Sequence, residues 1–396
     1  MVTSGMRCRE GPFRRPLVLI ASLVLSACEQ GTASGLVLPH VFQPLVAVET
    51  TGDVLVQRPK VFRRTRLHTA ASVKPEAVGA FGSSEDCLRL LGRGERAPRT
   101  PGAARIGSWN IHWFPDGVPG SPSATAAGTD LEWMACAIAW MNVDALALAE
   151  VKSKPYAEAA LEQLTSRLGE LTGNKYTVRV DDCPDQNGLH LAWLVSDTVQ
   201  AVDYQIHASL NPHGDACAGQ LRPGLGVRLR FRGGLDLHAV AIHFKSGTTA
   251  RDIALRQTSF DALERVIANV GNRSGDPDVL IAGDFNTMGC RECQDVTRSG
   301  AESSWLDTRL KAFRPEARRV PNDLGCSTYY QRQPSLLDHF IVSSSMREAA
   351  ILEKATVFGY CRDLGCGAYS GKAPQAATRL SDHCPLVLEL RDVDLD

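Results

Sequence analysis

Six short segments of the chain run from an apolar stretch into Asn, Asp, Glu or His. They are Ser108-Trp109-Asn110, Ala149-Glu150-Val151, Ile242-His243-Phe244-Lys245-Ser246, Gly283-Asp284-Phe285-Asn286, Leu337-Asp338-His339-Phe340 and Leu380-Ser381-Asp382-His383. Strand ends place their side chains on one rim of a sheet, so segments spread from Ser108 to His383 can converge on one place. Taken singly, each has a plain structural explanation. Asp-Phe-Asn is a common turn, a lone His243 on a strand is more often a satisfied core histidine, and Asn110 can cap a loop. Six such ends in one chain favour a shared site.

The residue types suit metal-assisted phosphoester hydrolysis. A hard cation such as Mg²⁺, with Mn²⁺ or Ca²⁺ as substitutes, takes oxygen ligands and leaves positions for water and a substrate phosphate. Glu150, Asp284 and Asp382 offer carboxylates, and Asn110 and Asn286 offer amide oxygens. Such an ion neutralises charge developing on phosphate oxygens. His383 is the natural general base, with Asp338 holding its imidazole. His243 can stabilise an oxyanion or protonate the leaving group, and Lys245 can hold a phosphate oxygen. His112 and His339 flank these segments and are read as structural. His190 is read as structural rather than substrate-contacting, and Arg256 as a packed or paired residue.

In this order the segments resemble the motifs of the endonuclease/exonuclease/phosphatase superfamily, which includes the pancreatic-type deoxyribonucleases, over about residues 104–395. Gly-Asp-Phe-Asn and Ser-Asp-His, each following a buried strand, are its most specific signals. The resemblance implies that Asn110 and Glu150 hold the metal with Asp382 as a further ligand. It places Asp284 and Asn286 on the attacking water or phosphate, turns His243 to the phosphate, and pairs Asp338 with His383 as the base. It also implies a four-layer α/β sandwich. One departure is Ala149, where the family commonly has Gln before the metal glutamate.

The elements that must position these residues follow from the pattern of the chain. Beyond Ala104, strands and helices alternate. Strands are predicted at Arg105–Ile111, Val143–Glu150, Tyr176–Val180, Leu189–Leu194, Gly226–Phe231, Leu237–Phe244, Asp278–Ala282, Leu337–Ser343 and Pro385–Leu390. Helices are predicted from Thr129 or Asp130 to Met141, from Pro155 to about Leu171, and over Thr249–Val270. Many strands with few crossovers give the fold class α/β, with two packed mixed sheets flanked by helices.

The sequence holds 396 residues, 44% of them hydrophobic, with a formal net charge of −1. That balance excludes a strongly basic nucleic-acid wrapper and a charge-driven disordered chain. No apolar run reaches the ~18 residues of a membrane span. Arg7, Arg9, Arg14 and Arg15 precede the short apolar run Leu17 to Ala27, and Leu25-Ser26-Ala27-Cys28 resembles a bacterial lipobox. Residues 1–27 are therefore expected to be a lipoprotein signal peptide and Cys28 the acylated first residue. Glu29 leans the address toward the outer membrane, with the protein periplasmic or at the cell surface. Removing that segment, with its four arginines and one glutamate, leaves −4.

Residues 28–103 are rich in Gly, Pro, Ser, Thr and Arg and are expected to be a tether partly ordered against the main domain. This stretch includes a hairpin near Leu45 to Val56 and the basic run Arg58 to Arg66. Residues 104–396 form the catalytic domain. Of the 12 cysteines, ten remain after loss of Cys8 and lipidation of Cys28. In an oxidising compartment Cys183, Cys217, Cys290, Cys293, Cys326, Cys361 and Cys366 are expected mostly in disulfides, and Cys384 as a buried free thiol. Cys290-Arg-Glu-Cys293 has no second pair at zinc-finger spacing.

Three functions compete. The first is an exported endonuclease cutting DNA or RNA. Its support is Ile242-His243-Phe244-Lys245-Ser246, which resembles the form in extracellular bacterial endonucleases of the family. The second is a phospholipid or inositol-phosphate phosphodiesterase or phosphatase, for which Trp113-Phe114-Pro115 is the one local candidate to dip into a membrane. The third is a non-catalytic binding module, against which every catalytic residue type is retained. The expected partners are nucleic acid as substrate and a membrane through Cys28. No protein partner is inferred.

Overall fold

A computed structural model of the chain describes residues 79–118, 128–153, 155–214, 217, 221–293, 297–350 and 354–395. The expected signal peptide, Cys28, the hairpin near Leu45 and the basic run at Arg58 lie outside the described residues. The chain opens with α1 (Ser84–Gly92), β1 (Ala103–Phe114), α2 (Leu131–Met141), β2 (Ala145–Lys152), α3 (Glu158–Thr172), β3 (Tyr176–Val180) and β4 (Leu189–Ser196). It continues through β5 (Val199–His207), β6 (Gly224–Phe231), β7 (Asp236–His243), α4 (Ala250–Ser274), β8 (Val279–Asp284) and the short β9 (Gly289–Cys290) and β10 (Thr297–Arg298). The remainder is α5 (Ser299–Ala312), β11 (Ala317–Val320), β12 (Thr328–Tyr330), β13 (Gln333–Ser335), β14 (Asp338–Ser343), β15 (Thr356–Val357), α6 (Tyr360–Asp363), α7 (Gln375–Arg379) and β16 (Leu386–Arg391).

Two mixed six-stranded sheets result, ordered β15-β16-β1-β2-β4-β3 and β11-β14-β8-β7-β6-β5. Each has one central parallel pair, β1 with β2 and β7 with β8, flanked by antiparallel neighbours. Parallel strands end at the same edge, so each sheet delivers two adjacent C-terminal ends to one rim. Asn110 is thereby in register with Ala149, next to Glu150, and His243 with Asp284.

Strand alternation sorts the core. Ala239, Ala241, Leu280 and Ala282 face the other sheet, whereas Val240, Ile242, Val279 and Ile281 pack with Phe260, Leu263, Val266 and Leu306 of α4 and α5. Being buried on both faces, β7 and β8 read as continuous apolar runs, as parallel strands do. On the first sheet α1, α2 and α3 pack in succession, and α2 is buried from Trp133 to Ala139. Helix, sheet, sheet and helix make the expected four-layer sandwich.

Local signals account for the helix starts. The Asp130 side chain accepts from Trp133 N and caps α2, and Thr249 with Asp252 forms a reciprocal capping box at α4. Where Pro155 was expected to begin a helix, the chain first turns, and α3 starts at Glu158 after Ala157, which supplies no side-chain cap. Several elements escaped prediction, β5 and α5 among them. β5 is half-buried along most of its length, and Asp203 sits at positive φ beside a register shift, so it lacks a clean alternation. In α5 buried Glu302 and Ser303 interrupt the apolar face, leaving no readable helical stripe.

The end of the expected tether belongs to the packed body. Ala80 and Phe81 are buried, and α1 is bonded to α2 through Cys87–Cys136. The other disulfides are Cys183–Cys217, Cys290–Cys293, Cys326–Cys366 and Cys361–Cys384. Cys384 is thus buried but not a free thiol. The segment between β15 and β16 brings Cys361 beside it, a proximity that spacing does not reveal.

His207, at the end of β5, provides a pH test of stability. Burial, with His238 and Arg273 nearby, pushes its pKa down to about 4. Because that value lies below the ordinary 6.5, folding favours the neutral ring. Its contribution is present above pH ~6.5 and declines as pH falls toward ~4. Stability should therefore drop by at most about 2 kcal/mol between pH 7 and 5 from this group. Urea unfolding at both pH values should show a drop that shrinks in His207→Gln. An equal drop in both proteins would assign it to other groups.

Candidate active site

The rim where both parallel pairs end carries a cleft of about 430 Å³, lined by Glu150, His243, Asp284, Asn286, Asp382 and His383 among others. A cavity of similar size, about 460 Å³, lies by β5 and α4 and is lined by His207, Arg228 and His238. It joins no acidic cluster to a histidine relay, and chemistry separates the two.

Backbone form aims the side chains. Gly283 has φ 152°, and a Cβ there would come within 2.0 Å of the Ile242 carbonyl oxygen, so only glycine allows β8 to approach β7 just before Asp284. Glu150 lies at φ 65° where the β2 register shifts, a conformation costly for a non-glycine residue that swings its carboxylate out of the strand alternation. Asn286 has φ 51°, which asparagine tolerates, and donates Nδ2 to the Phe244 carbonyl at 3.0 Å.

On the acidic side Asn110 Nδ2 donates to Glu150 Oε1 at 3.0 Å and to Asp284 Oδ2 at 3.1 Å, so two carboxylates converge on one amide. Ala149 is buried and takes no part in this arrangement. His243 Nε2 lies 3.5 Å from Asp284 Oδ2 and 3.7 Å from Glu150 Oε1. Burial, the Arg222 cation and His383 hold His243 well below its ordinary pKa, which makes it a neutral imidazole. Arg222 is buried, donates Nε to the His243 carbonyl at 3.2 Å and pairs with Asp185.

Beside these stands the relay. His383 Nδ1 lies 2.8 Å from Asp338 Oδ2, which also accepts from Ser327 Oγ at 2.7 Å. His383 Nε2 is 3.8 Å from Asp284 Oδ2. Burial opposes the charged imidazole, yet Asp338 and Asp284 outweigh it and carry the His383 pKa well above its ordinary value. Asp284 is driven up to about 7, first by burial and then by Asp338, against the His383 charge and the hydrogen bonds from Asn286 and Asn110. Ser381 Oγ donates to the Asn110 carbonyl at 2.6 Å and accepts from His383 N at 3.0 Å, linking the ends of β1 and β16.

The donors suit a hard cation. Glu150, Asp284 and Asp382 offer oxygen atoms at one rim, and desolvation that lifts Asp284 to about 7 marks a carboxylate short of positive partners. Asp284, Asp338 and His383 also bring ligand atoms within 4.8 Å of one another. Asp338 Oδ1 is buried without a hydrogen bond.

Two expectations change. His112, read as structural, sits in the cleft with Nδ1 2.9 Å from Asp382 Oδ1 and 4.0 Å from Glu150 Oε2. Burial works against its charge, but the Asp382 contact raises its pKa, and the same contact keeps Asp382 low despite desolvation. Its φ of 46° turns it out of the β1 alternation, which no periodicity could show. Lys245, expected on a phosphate oxygen, instead pairs with Asp252 at 3.0 Å at the start of α4 and does not line the cleft. The cation that does line it is Arg291, inside the Cys290–Cys293 loop.

His190 and His339 are structural, as expected. His190 links Asp181 Oδ1 at 2.8 Å to Ser153 Oγ at 3.0 Å. The three residue types match a hydrolytic triad, but Ser153 Oγ also donates to the Gly188 carbonyl, so the network ties down the chain after Glu150. His339 is buried against Thr287 and the Phe285 ring.

Arg256 pairs as expected. Only 2% exposed, it meets Glu302 at 2.7 Å and donates to the Gly247 and Gly289 carbonyls, joining the loops after β7 and β8. Losing one partner of such a pair costs about 3–5 kcal/mol. Arg256→Ala should lose that much in urea unfolding; a change below ~1 kcal/mol would contradict the pinning role.

The sequence model of the endonuclease/exonuclease/phosphatase family matches residues 107–383, more than half of the chain. Similar solved structures include an endonuclease/exonuclease/phosphatase family protein from Bacteroides thetaiotaomicron, 14% identical, with TM-score 0.45, covering 75% of this chain and 100% of that one. The human nocturnin catalytic domain with bound sulfate is 15% identical, TM-score 0.45, covering 74% and 96%. D. rerio TDP2 complexed with a single-strand DNA product is 16% identical, TM-score 0.46, covering 73% and 98%. No curated protein matches the sequence.

Proposed function

Because the chain belongs to the endonuclease/exonuclease/phosphatase family, whose members hydrolyse phosphoester bonds, we propose that it is a metal-dependent phosphodiesterase that cuts nucleic acid. The observation that carries this reading is the meeting of Asn110, Glu150 and Asp284 with the Asp338–His383 relay in one cleft. When bound by Glu150 and Asp284, with Asp382 beside them, a divalent cation such as Mg²⁺ supplies charge neutralisation for the phosphate oxygens.

The chain's own residues do the rest. Asp338 fixes the His383 ring through Nδ1, and a cation held at Asp284 would offset one of the charges that keep the ring protonated. Nε2 would then take a proton from water as its oxygen attacks phosphorus, while the P–O bond to the leaving oxygen breaks and that oxygen takes a proton from solvent. Neutral His243, buried beside Asp284, can donate a hydrogen bond to a phosphate oxygen but is a poor proton source. Asn286 lines the cleft beside Asp284 and can orient water or phosphate.

Address is part of the proposal. The arginine-led apolar run and Leu25-Ser26-Ala27-Cys28 support export and acylation at Cys28, with the outer membrane favoured. Five disulfides among the described residues agree with an oxidising compartment. The lipid-substrate alternative is weakened at its one candidate loop, since Phe114 is fully buried and Trp113 lines the cleft.

Turnover of bis(p-nitrophenyl) phosphate and p-nitrophenyl phosphate with Mg²⁺ tests the reaction class. The diester should be the better substrate. Preference for the monoester would replace a phosphodiesterase by a phosphatase.

A further inference from the structure

We infer that Tyr330 and Arg291 form a subsite for an unpaired nucleotide next to the scissile phosphate, so that the preferred substrate is a single strand. The inference rests on the phosphodiesterase reading of the same cleft. Tyr330 is 54% exposed and lines the cleft, one of three large exposed hydrophobic residues among those described. It lies at the end of β12, where Gln331 and Arg332, at φ 50° and 66°, close a tight two-residue hairpin.

That hairpin is held at its root. Cys326 is bonded to Cys366, Thr328 Oγ1 donates to the Asp382 carbonyl at 2.7 Å, and Ser327 bonds to Asp338. The ring is thus presented from the residues that hold the catalytic relay. Its neighbour Tyr329 is spent on packing, against Tyr360 and Tyr369.

Arg291 reaches the cleft from another wall. Its backbone N donates to the Thr248 carbonyl at 2.9 Å, and the Cys290–Cys293 disulfide closes the loop around it. No described residue pairs with its guanidinium. The Cys-Arg-Glu-Cys segment is therefore a clamp that presents a cation with no partner among the described residues, not half of a zinc site.

A planar aromatic face and a guanidinium in one cleft beside a phosphate-cleaving centre match a base and its neighbouring backbone phosphate. Stacking on Tyr330 requires a base freed from its duplex, because paired bases offer no open face. A lipid headgroup would use the cation but not the ring.

Fluorescence anisotropy of a labelled 12-mer of deoxythymidine, with Mg²⁺ and His383→Ala in the full chain to stop turnover, tests this. The single strand should bind at least tenfold more tightly than a blunt duplex of equal length. Tyr330→Ala should weaken it about tenfold and Tyr330→Phe far less. Arg291→Gln should reduce the slope of log affinity against log salt by about 0.7, one phosphate contact. Equal binding of duplex and single strand, or equal losses in Tyr330→Ala and Tyr330→Phe, would overturn the inference. Cleavage of the same strand by the parent separates the two readings. No cleavage with Tyr330-dependent binding removes the hydrolase alone, and cleavage with Tyr330-independent binding removes the subsite alone.

Discussion

Replacing His383 with alanine is expected to lower phosphodiester turnover at least ~10²-fold while the domain stays folded. The side chain is 9% exposed and touches Asp338 and Asp284 rather than the apolar core, so its loss removes polar contacts at the rim. Asp338→Asn should also lower turnover, because an amide cannot stabilise the charged imidazole. The double variant should be little worse than His383→Ala, since the two residues act as one unit. Circular dichroism and kcat on one diester check all three. Multiplicative losses, or near-parent turnover in a folded His383→Ala protein, would show that the relay does not take the proton.

Chelating divalent cations should reduce hydrolysis at least ~10³-fold, and Mg²⁺ should restore it. The expectation follows from charge. Glu150 and Asp284 share one Asn110 amide at 3.0 and 3.1 Å, and a phosphodiester brings another negative charge to them. Among the described residues His243 is held neutral and Lys245 is occupied by Asp252, and His383, the cation beside Asp284, is shared with Asp338, so the three negative groups outnumber the charge that faces them. Glu150→Gln should shift the Mg²⁺ requirement to higher concentration. Full activity in excess chelator would remove the metal from the account.

The motifs at His243 and Asp284 were legible because each ends a buried strand, whereas Asp338 opens β14 and Asp382 and His383 precede β16. β7 and β8 are apolar on both faces, and their sudden change to His243 and Gly283-Asp284 marks the rim as clearly as any turn signal. Parallel pairing then does what the motifs alone do not state, setting His243 against Asp284 and Asn110 beside Glu150.

What stayed hidden depends on non-repeating backbone or on distant partners. His112 reaches Asp382 only through its positive φ. Lys245 sits two residues after His243, yet β7 has ended there, and the capping acid Asp252 captures the ammonium. Arg291 is placed by a disulfide loop whose sequence first suggests a metal site. Cys384 looks like a small buried hydrophobe, and it is one in burial, but Cys361 arrives from the far side of a long connection. Residues 80–102 carry tether-like composition, yet Ala80, Phe81 and Cys87 anchor them to α2 and the first sheet.

The most direct test of the central claim is incubation of residues 29–396, prepared in an oxidising compartment, with supercoiled plasmid and Mg²⁺, beside the His383→Ala protein. A plasmid supplies internal phosphodiesters, and its transiently unpaired stretches supply single strand. Nicking followed by linearisation by the parent, absent from His383→Ala, is the predicted result. An intact plasmid after incubation with folded, Mg²⁺-supplied parent, or equal nicking by both proteins, would contradict a nuclease built on this relay.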